Sequence, residues 1–264
     1  MEIPASSPIL LFDSGLGGLS VLSALRKTLP EAPVIYAADT AGLPYGEKSE
    51  AEIAARVAGL LGRMSERYDP RLICIACNTA STIALGMVRD VLHVPIVGTV
   101  PAIKPAAALT KTGTIGLLGT AATIRQRYVD DLEAQFAQDK RLIRHAAPEL
   151  VGAAEAKLRG QVPDAGVFDR AIAGMKAKAD GAEIDTVVLA CTHFPLVQAE
   201  LAAQMAAGVQ FIDGSDGIAR RIASLTQGQS FERNRADQAV VTGAVDEHLA
   251  EALAPYGIGG VSRF

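Results

Sequence analysis

The chain has 264 residues, 49% hydrophobic and 20% charged, with a formal net charge of −4. That size and apolar content support about two packed domains and exclude wholesale disorder. The acidic balance and the absence of Trp argue against a nucleic-acid partner, and the longest uncharged run, Leu72 to Val88, is too short and polar for a membrane span.

In chain order, Ile9–Phe12 reads as a strand buried on both faces, followed by the glycine-rich turn Asp13-Ser-Gly-Leu-Gly-Gly18 and a helix from about Leu19 to Leu29. Val34–Ala37 is the next strand, and Ser49 with Glu52 forms a capping box ahead of Ile53, Val57, Leu60, Leu61 and Met64 at helical spacing. Leu72–Ala76, Pro95–Gly98, Ile115–Leu118, Val187–Ala190 and Val209–Ile212 complete the strands predicted from apolar runs. Strands alternating with helices imply an α/β fold with mainly parallel sheets.

Two pairs of segments resemble each other. Leu72-Ile-Cys-Ile-Ala-Cys77 is answered by Thr186-Val-Val-Leu-Ala-Cys191, and Ile9-Leu-Leu-Phe-Asp-Ser-Gly by Ile115-Gly-Leu-Leu-Gly-Thr-Ala. The matches occur in the same order, which points to two like α/β domains facing each other. Ligands of open α/β sheets bind at the strand C-terminal ends.

Three cysteines, with no basic segment in Met1 to Pro8, suit a reducing compartment and a cytoplasmic protein rather than a disulfide framework. Cys77 and Cys191 each end a strand just before a helix, where the helix N-terminus favours thiolate. A lone cysteine in that position is usually packing; two at equivalent places suggest chemistry. Cys74 alternates away from Cys77 along its strand and is read as core. A zinc site of Cys74, Cys77, Cys191 and His193 is the minor alternative, since Cys191-x-His193 lacks the usual ligand spacing. Asp13 and Ser14 form an exposed pair at the sheet edge, and the loop is not a phosphate-binding one, because Ser20 takes the last glycine position. Tyr36-x-x-Asp39-Thr40 and Leu43-Pro44-Tyr45-Gly46 follow the second strand and could wall a pocket. Thr120 and Thr123 could donate to a carboxylate or cap a helix, and His193 could hold a proton or tune the neighbouring thiol.

Several readings remain open on these residues: an enzyme whose cysteines serve as bases or nucleophiles near neutrality, a hydrolase or lyase with one activated cysteine among them, and a two-domain clamp without turnover.

Seven ordered motifs, Phe12-Asp-Ser-Gly-Leu-Gly-Gly18, Tyr36-x-x-Asp39-Thr40, Leu43-Pro-Tyr-Gly46, Ala76-Cys-Asn-Thr-Ala-Ser81, Gly98-Thr-Val-Pro-Ala102, Gly119-Thr-x-x-Thr123 and Leu189-Ala-Cys-Thr-His193-x-Pro195, resemble the glutamate racemases of the cofactor-independent aspartate/glutamate racemase superfamily. The resemblance covers nearly the whole chain. It implies two pseudo-symmetric α/β domains, residues 1–98 with 209–264 and residues 99–208, with the active site in the cleft between them. It implies Cys77 and Cys191 as the two proton donor/acceptors, with Asp13 and His193 beside them in catalysis. Asp13, Ser14, Pro44, Tyr45, Gly46, Asn78, Thr79, Thr120, Thr123, Thr192 and His193 would line the substrate site, with Asp39 and Glu155 auxiliary. The segment Ala147-Pro-Glu-Leu-Val-Gly-Ala-Ala-Glu155 departs from the family pattern, which weakens the assignment of Glu155. The resemblance also implies L- and D-glutamate as substrates, no cofactor, no metal, a homodimer, and a place in peptidoglycan synthesis.

Overall fold

The structure is a computed structural model that describes residues 3–264. The first half runs β1 (Ile9–Asp13), α1 (Leu19–Thr28), β2 (Val34–Ala38), α2 (Glu50–Tyr68), β3 (Leu72–Ile75), α3 (Asn78–Val91) and β4 (Ile96–Gly98). Then come α4 (Ile103–Leu109), β5 (Thr114–Gly119), α5 (Ala121–Ile124), α6 (Arg127–Phe136), β6 (Arg141–Ala146), α7 (Glu149–Leu158), α8 (Gly166–Lys176), β7 (Thr186–Ala190), α9 (Gln198–Ala202) and β8 (Gln210–Ile212). The chain closes with α10 (Ser215–Leu225), β9 (Asp237–Val241), α11 (Glu247–Leu253) and β10 (Ile258–Arg263).

The strands form two sheets, ordered β10-β9-β2-β1-β3-β4 and β6-β5-β7-β8, and every pairing is parallel. The repeat seen in the sequence is visible here. Within β2-β1-β3-β4 and β6-β5-β7-β8, the strands ending in Asp13 and Gly119 are central, and those leading to Cys77 and Cys191 are their neighbours. One expectation needs correcting. The sequence points to a return to the first domain at Val209, whereas Gln210–Ile212 still pairs with β7, so the return to the first sheet begins after β8. The reason is physical: an apolar run specifies a strand, while its partner is set by long-range packing that the run does not encode.

Helices cover both faces of each sheet, so strand residues alternate between two cores. In the first sheet Ile9 and Leu11 pack on one face with Leu19, Leu22 and Ile222, while Leu10 and Phe12 pack on the other with Val57, Leu61 and Ala84. Each such buried leucine, isoleucine, valine or phenylalanine contributes about 1.5–3 kcal/mol. Cys74 lies in the first of these cores and Cys77 in the second. Half of the expected capping box forms: Ser49 caps α2, its hydroxyl accepting from Glu52 N–H at 3.2 Å, while the Glu52 carboxylate pairs with Lys48 instead of reaching back to Ser49 N–H. Among the described residues no helix is long and apolar enough to cross a membrane.

Candidate active site

Both sheets present their strand C-terminal ends to one narrow cleft. From the first half it is lined by Ser14 after β1, by Pro44, Tyr45 and Gly46 in the turn after β2, and by Cys77, Asn78 and Thr79 at the start of α3. From the second half come Thr120 after β5, and Cys191, Thr192 and His193 after β7. Asp13, Thr123, Asp39 and Glu155 do not line it. They stand one contact behind, each bonded to a lining residue: Asp13 to Ser14, Thr123 to Thr79 and Thr120, Asp39 to Tyr45, and Glu155 to His193.

The exposed pair expected of Asp13 and Ser14 needs correcting: both are buried at the end of β1, because the glycine-rich turn folds back over the carboxylate and supplies the hydrogen bonds that water would otherwise give. Ser14 N–H donates to Asp13 Oδ1 at 2.7 Å and Gly18 N–H to Asp13 Oδ2 at 2.6 Å. Burial raises the Asp13 pKa above the ordinary carboxylate value, more than the His193 charge and these two amides lower it. The Ser14 hydroxyl lies 3.6 Å from Cys77 Sγ and bridges it to Asp13. Cys77 occupies the N-cap of α3, yet its thiol is pushed well up, first by burial and then by the Asp13 charge. The Ala80 N–H acts in the direction expected of a helix N-terminus and is outweighed.

The second thiol has different company. His193 Nδ1 faces Cys191 Sγ at 3.9 Å, and His193 Nε2 is 2.8 Å from Glu155 Oε1. Burial alone would lower the His193 pKa, but Cys191, Glu155 and Asp13 together hold it well above the ordinary histidine value. Burial likewise pushes Glu155 up, and His193, Leu16 N–H and Arg159 outweigh it, leaving the carboxyl below its usual range. Leu16 N–H reaches the same Oε1 at 2.7 Å, so one carboxylate ties the β1 loop to the second half. The departure in the segment 147–155 therefore leaves Glu155 in contact with His193, and Pro148 and Val151 from that segment also line the cleft. Neither carries a motif or a chemical group that would mark it as lining in the sequence.

Thr79, Thr120 and Thr123 form a triangle of hydroxyls 3.0–3.1 Å apart across the two halves. Thr120 also caps α5, accepting from Thr123 N–H at 3.1 Å, so capping and lining are both realised. The Asn78 Oδ1 is buried without a partner. Cys74 packs on the opposite sheet face in the first core, so the four candidate zinc ligands do not converge. Among the described residues no three His, Cys, Asp or Glu side chains form a metal-binding group.

Comparison with known proteins agrees with this arrangement. The sequence profile of the Asp/Glu/hydantoin racemase family matches residues 19–222. A glutamate racemase of Sphingopyxis alaskensis is 60% identical over 266 residues, covering 99% of each chain. The crystal structure of Escherichia coli glutamate racemase, in complex with L-glutamate and the activator UDP-MurNAc-ala, superposes with a TM-score of 0.89 at 39% identity over 98% of each chain. A Bacillus anthracis glutamate racemase gives a TM-score of 0.84 at 27% identity, covering 99% of this chain and 98% of the other. The chain thus belongs to the Asp/Glu/hydantoin racemase family, and it is glutamate racemases of that family that it matches from end to end.

Proposed function

We propose that the chain interconverts L- and D-glutamate by proton transfer at the α-carbon between Cys77 and Cys191. The observation that carries this is the entry of two cysteines into one cleft from equivalent strand ends of two like sheets. Enantiomers present the α-hydrogen in opposite directions, so a racemase needs an acid/base on each side. A clamp or a one-thiol hydrolase has no use for the second sulfur. One thiolate removes the Cα proton as the C–H bond breaks, and the opposed thiol delivers its proton to the other face. Each thiol has its own proton partner: Asp13, with its raised pKa, for Cys77, and His193, steadied by Glu155, for Cys191. The developing carbanion charge is eased by donors already in place, chiefly the hydroxyl triangle and Thr192. The unpaired Asn78 Oδ1 is free to accept from the substrate ammonium. The scheme calls on no group outside the chain. In the cell the activity would supply D-glutamate to peptidoglycan synthesis, from a cytoplasmic homodimer.

The test is circular dichroism of each glutamate enantiomer incubated with the protein in deuterated water. Inversion with deuterium at Cα is expected from both. A clamp gives neither inversion nor exchange, and a hydrolase gives cleavage products. Cys77→Ala and Cys191→Ala should each abolish net inversion, and full racemase activity surviving in either variant would refute the two-thiol scheme.

A further inference from the structure

The cleft wall formed by Pro44, Tyr45 and Gly46, with Glu47 following, rests on a buried ionic cluster. Asp39, fully buried past the end of β2, receives four side-chain donors. Tyr45 Oη donates at 2.6 Å, Thr242 Oγ1 at 2.5 Å and Arg56 Nη2 at 2.7 Å, and Arg56 Nε makes the second arm of a fork. Arg56 lies on α2 and Thr242 just after β9, so three separate elements converge on one carboxylate. Thr242 also accepts from Ala41 N–H at 3.0 Å, fastening the start of the same loop. Gly42 lies so close that a Cβ there would stand 2.4 Å from Asp39 Oδ2 and 2.5 Å from Arg56 Nε. At the far end of the turn, a Cβ on Gly46 would stand 3.1 Å from Thr120 Cβ, so the wall already abuts the second half. The Tyr45 hydroxyl is committed to Asp39, which leaves its ring and backbone to face the substrate.

We propose that Arg56 is a positioning residue for the reaction: through Asp39, and with Thr242 as the third tie, it holds the Pro44–Tyr45–Gly46 wall against Thr120 and so sets how tightly the substrate is gripped. The inference rests on the cleft being the glutamate site. Asp39 needs the guanidinium because a buried carboxylate without a cation is expensive to keep ionised. Burial does push Asp39 up, but Arg56, Thr242 and Tyr45 outweigh it and leave the carboxyl below its usual range. The two cysteines follow β3 and β7, not β2, so a slack wall should weaken binding while leaving the proton transfers in place. Loss of binding common to ground state and transition state raises KM at constant kcat.

The experiment is steady-state racemisation in both directions for Arg56→Ala, Arg56→Lys and Thr242→Val, with and without added methylguanidinium. The Arg56 side chain is 33% exposed, so the small cation can enter the space left by alanine. Arg56→Ala should raise KM for both enantiomers about tenfold, with kcat within about threefold of wild type. Methylguanidinium should return KM toward the wild-type value, and lysine should restore it only in part, because it lacks the fork. A wild-type KM in Arg56→Ala, or a fall in kcat at constant KM that tracks lost folded protein, overturns the proposal. Should Arg56→Ala not fold, Thr242→Val and Arg56→Lys decide on the same readout: about a threefold rise in KM supports it, and no rise overturns it. A wild-type chain inert toward glutamate removes the reading of the cleft and this inference with it. An active wild type with unchanged KM in the variants removes the inference alone.

Discussion

Gly17 offers a sharp mechanical test of the site. It sits in the loop after β1, where the first half presses on the second. A Cβ at this position would lie 2.5 Å from His193 Nδ1 and 2.7 Å from His193 backbone N, about 0.7–0.9 Å short of ordinary 3.4 Å contact. The backbone itself accepts alanine, since Gly17 is not among the residues with positive φ. The His193 ring cannot swing aside without leaving Glu155, and its backbone cannot yield without moving the end of β7. Gly17→Ala should therefore force the halves apart by a sizeable fraction of an ångström. Overpacking of this kind costs about 1–3 kcal/mol of stability. Misplacing catalytic groups by about 1 Å costs about a hundredfold in rate, or about 2.7 kcal/mol of transition-state stabilisation. We expect kcat/KM to fall about a hundredfold in both directions in protein that remains folded by thermal melting. Gly59→Ala, on α2 with no atom within 4 Å of the new methyl, is the control: it should keep wild-type rates and gain up to about 1 kcal/mol. Wild-type kcat/KM in Gly17→Ala would falsify the claim that the halves meet at this glycine.

Two further outcomes follow from the buried thiols and the ion pair. Glu155→Gln breaks a buried pair and should cost about 3 kcal/mol in urea unfolding, with a pH signature. The Glu155 pKa is depressed on folding, so its contribution is present above the ordinary 4.5 and lost as pH falls through the lower folded value. The His193 pKa is raised, so its contribution is full below 6.5 and lost as pH rises through the higher folded value. The gap between wild type and variant should thus be widest between pH 4.5 and 6.5, and a gap independent of pH would count against the pairing. Cys74→Ala should destabilise the first core by about 1–2 kcal/mol and leave both racemisation rates intact, since Cys74 packs away from the cleft; loss of activity in folded protein would contradict its core placement.

Local patterns in the chain disclosed a good deal. Buried strands such as β1, β3 and β7 announce themselves as short apolar runs, because both faces must be dry. The Ser49–Glu52 cap is written in four consecutive residues. The doubled Ala-Cys strand ends point to a duplicated architecture, and the same order of four strands, β2-β1-β3-β4 and β6-β5-β7-β8, recurs in the two sheets. Strands with mixed surfaces were silent: β6 carries Arg141, Arg144 and His145 at a sheet edge, and β10, also at an edge, opens on Ile258-Gly-Gly260. Neither has the apolar run or alternation that marks a strand, and both are held in place by their neighbours.

What the amino-acid order determined alone was the α/β class, the two thiols and the loop residues that accompany them, since each depends on chemistry a few residues long. Only the tertiary structure decided that Val209–Ile212 stays with the second sheet, that burial and Asp13 overrule the helix N-terminus at Cys77, and that Arg56 and Thr242 meet on Asp39. Those outcomes arise between segments far apart in the chain, where distance and dielectric, rather than local pattern, set the energy.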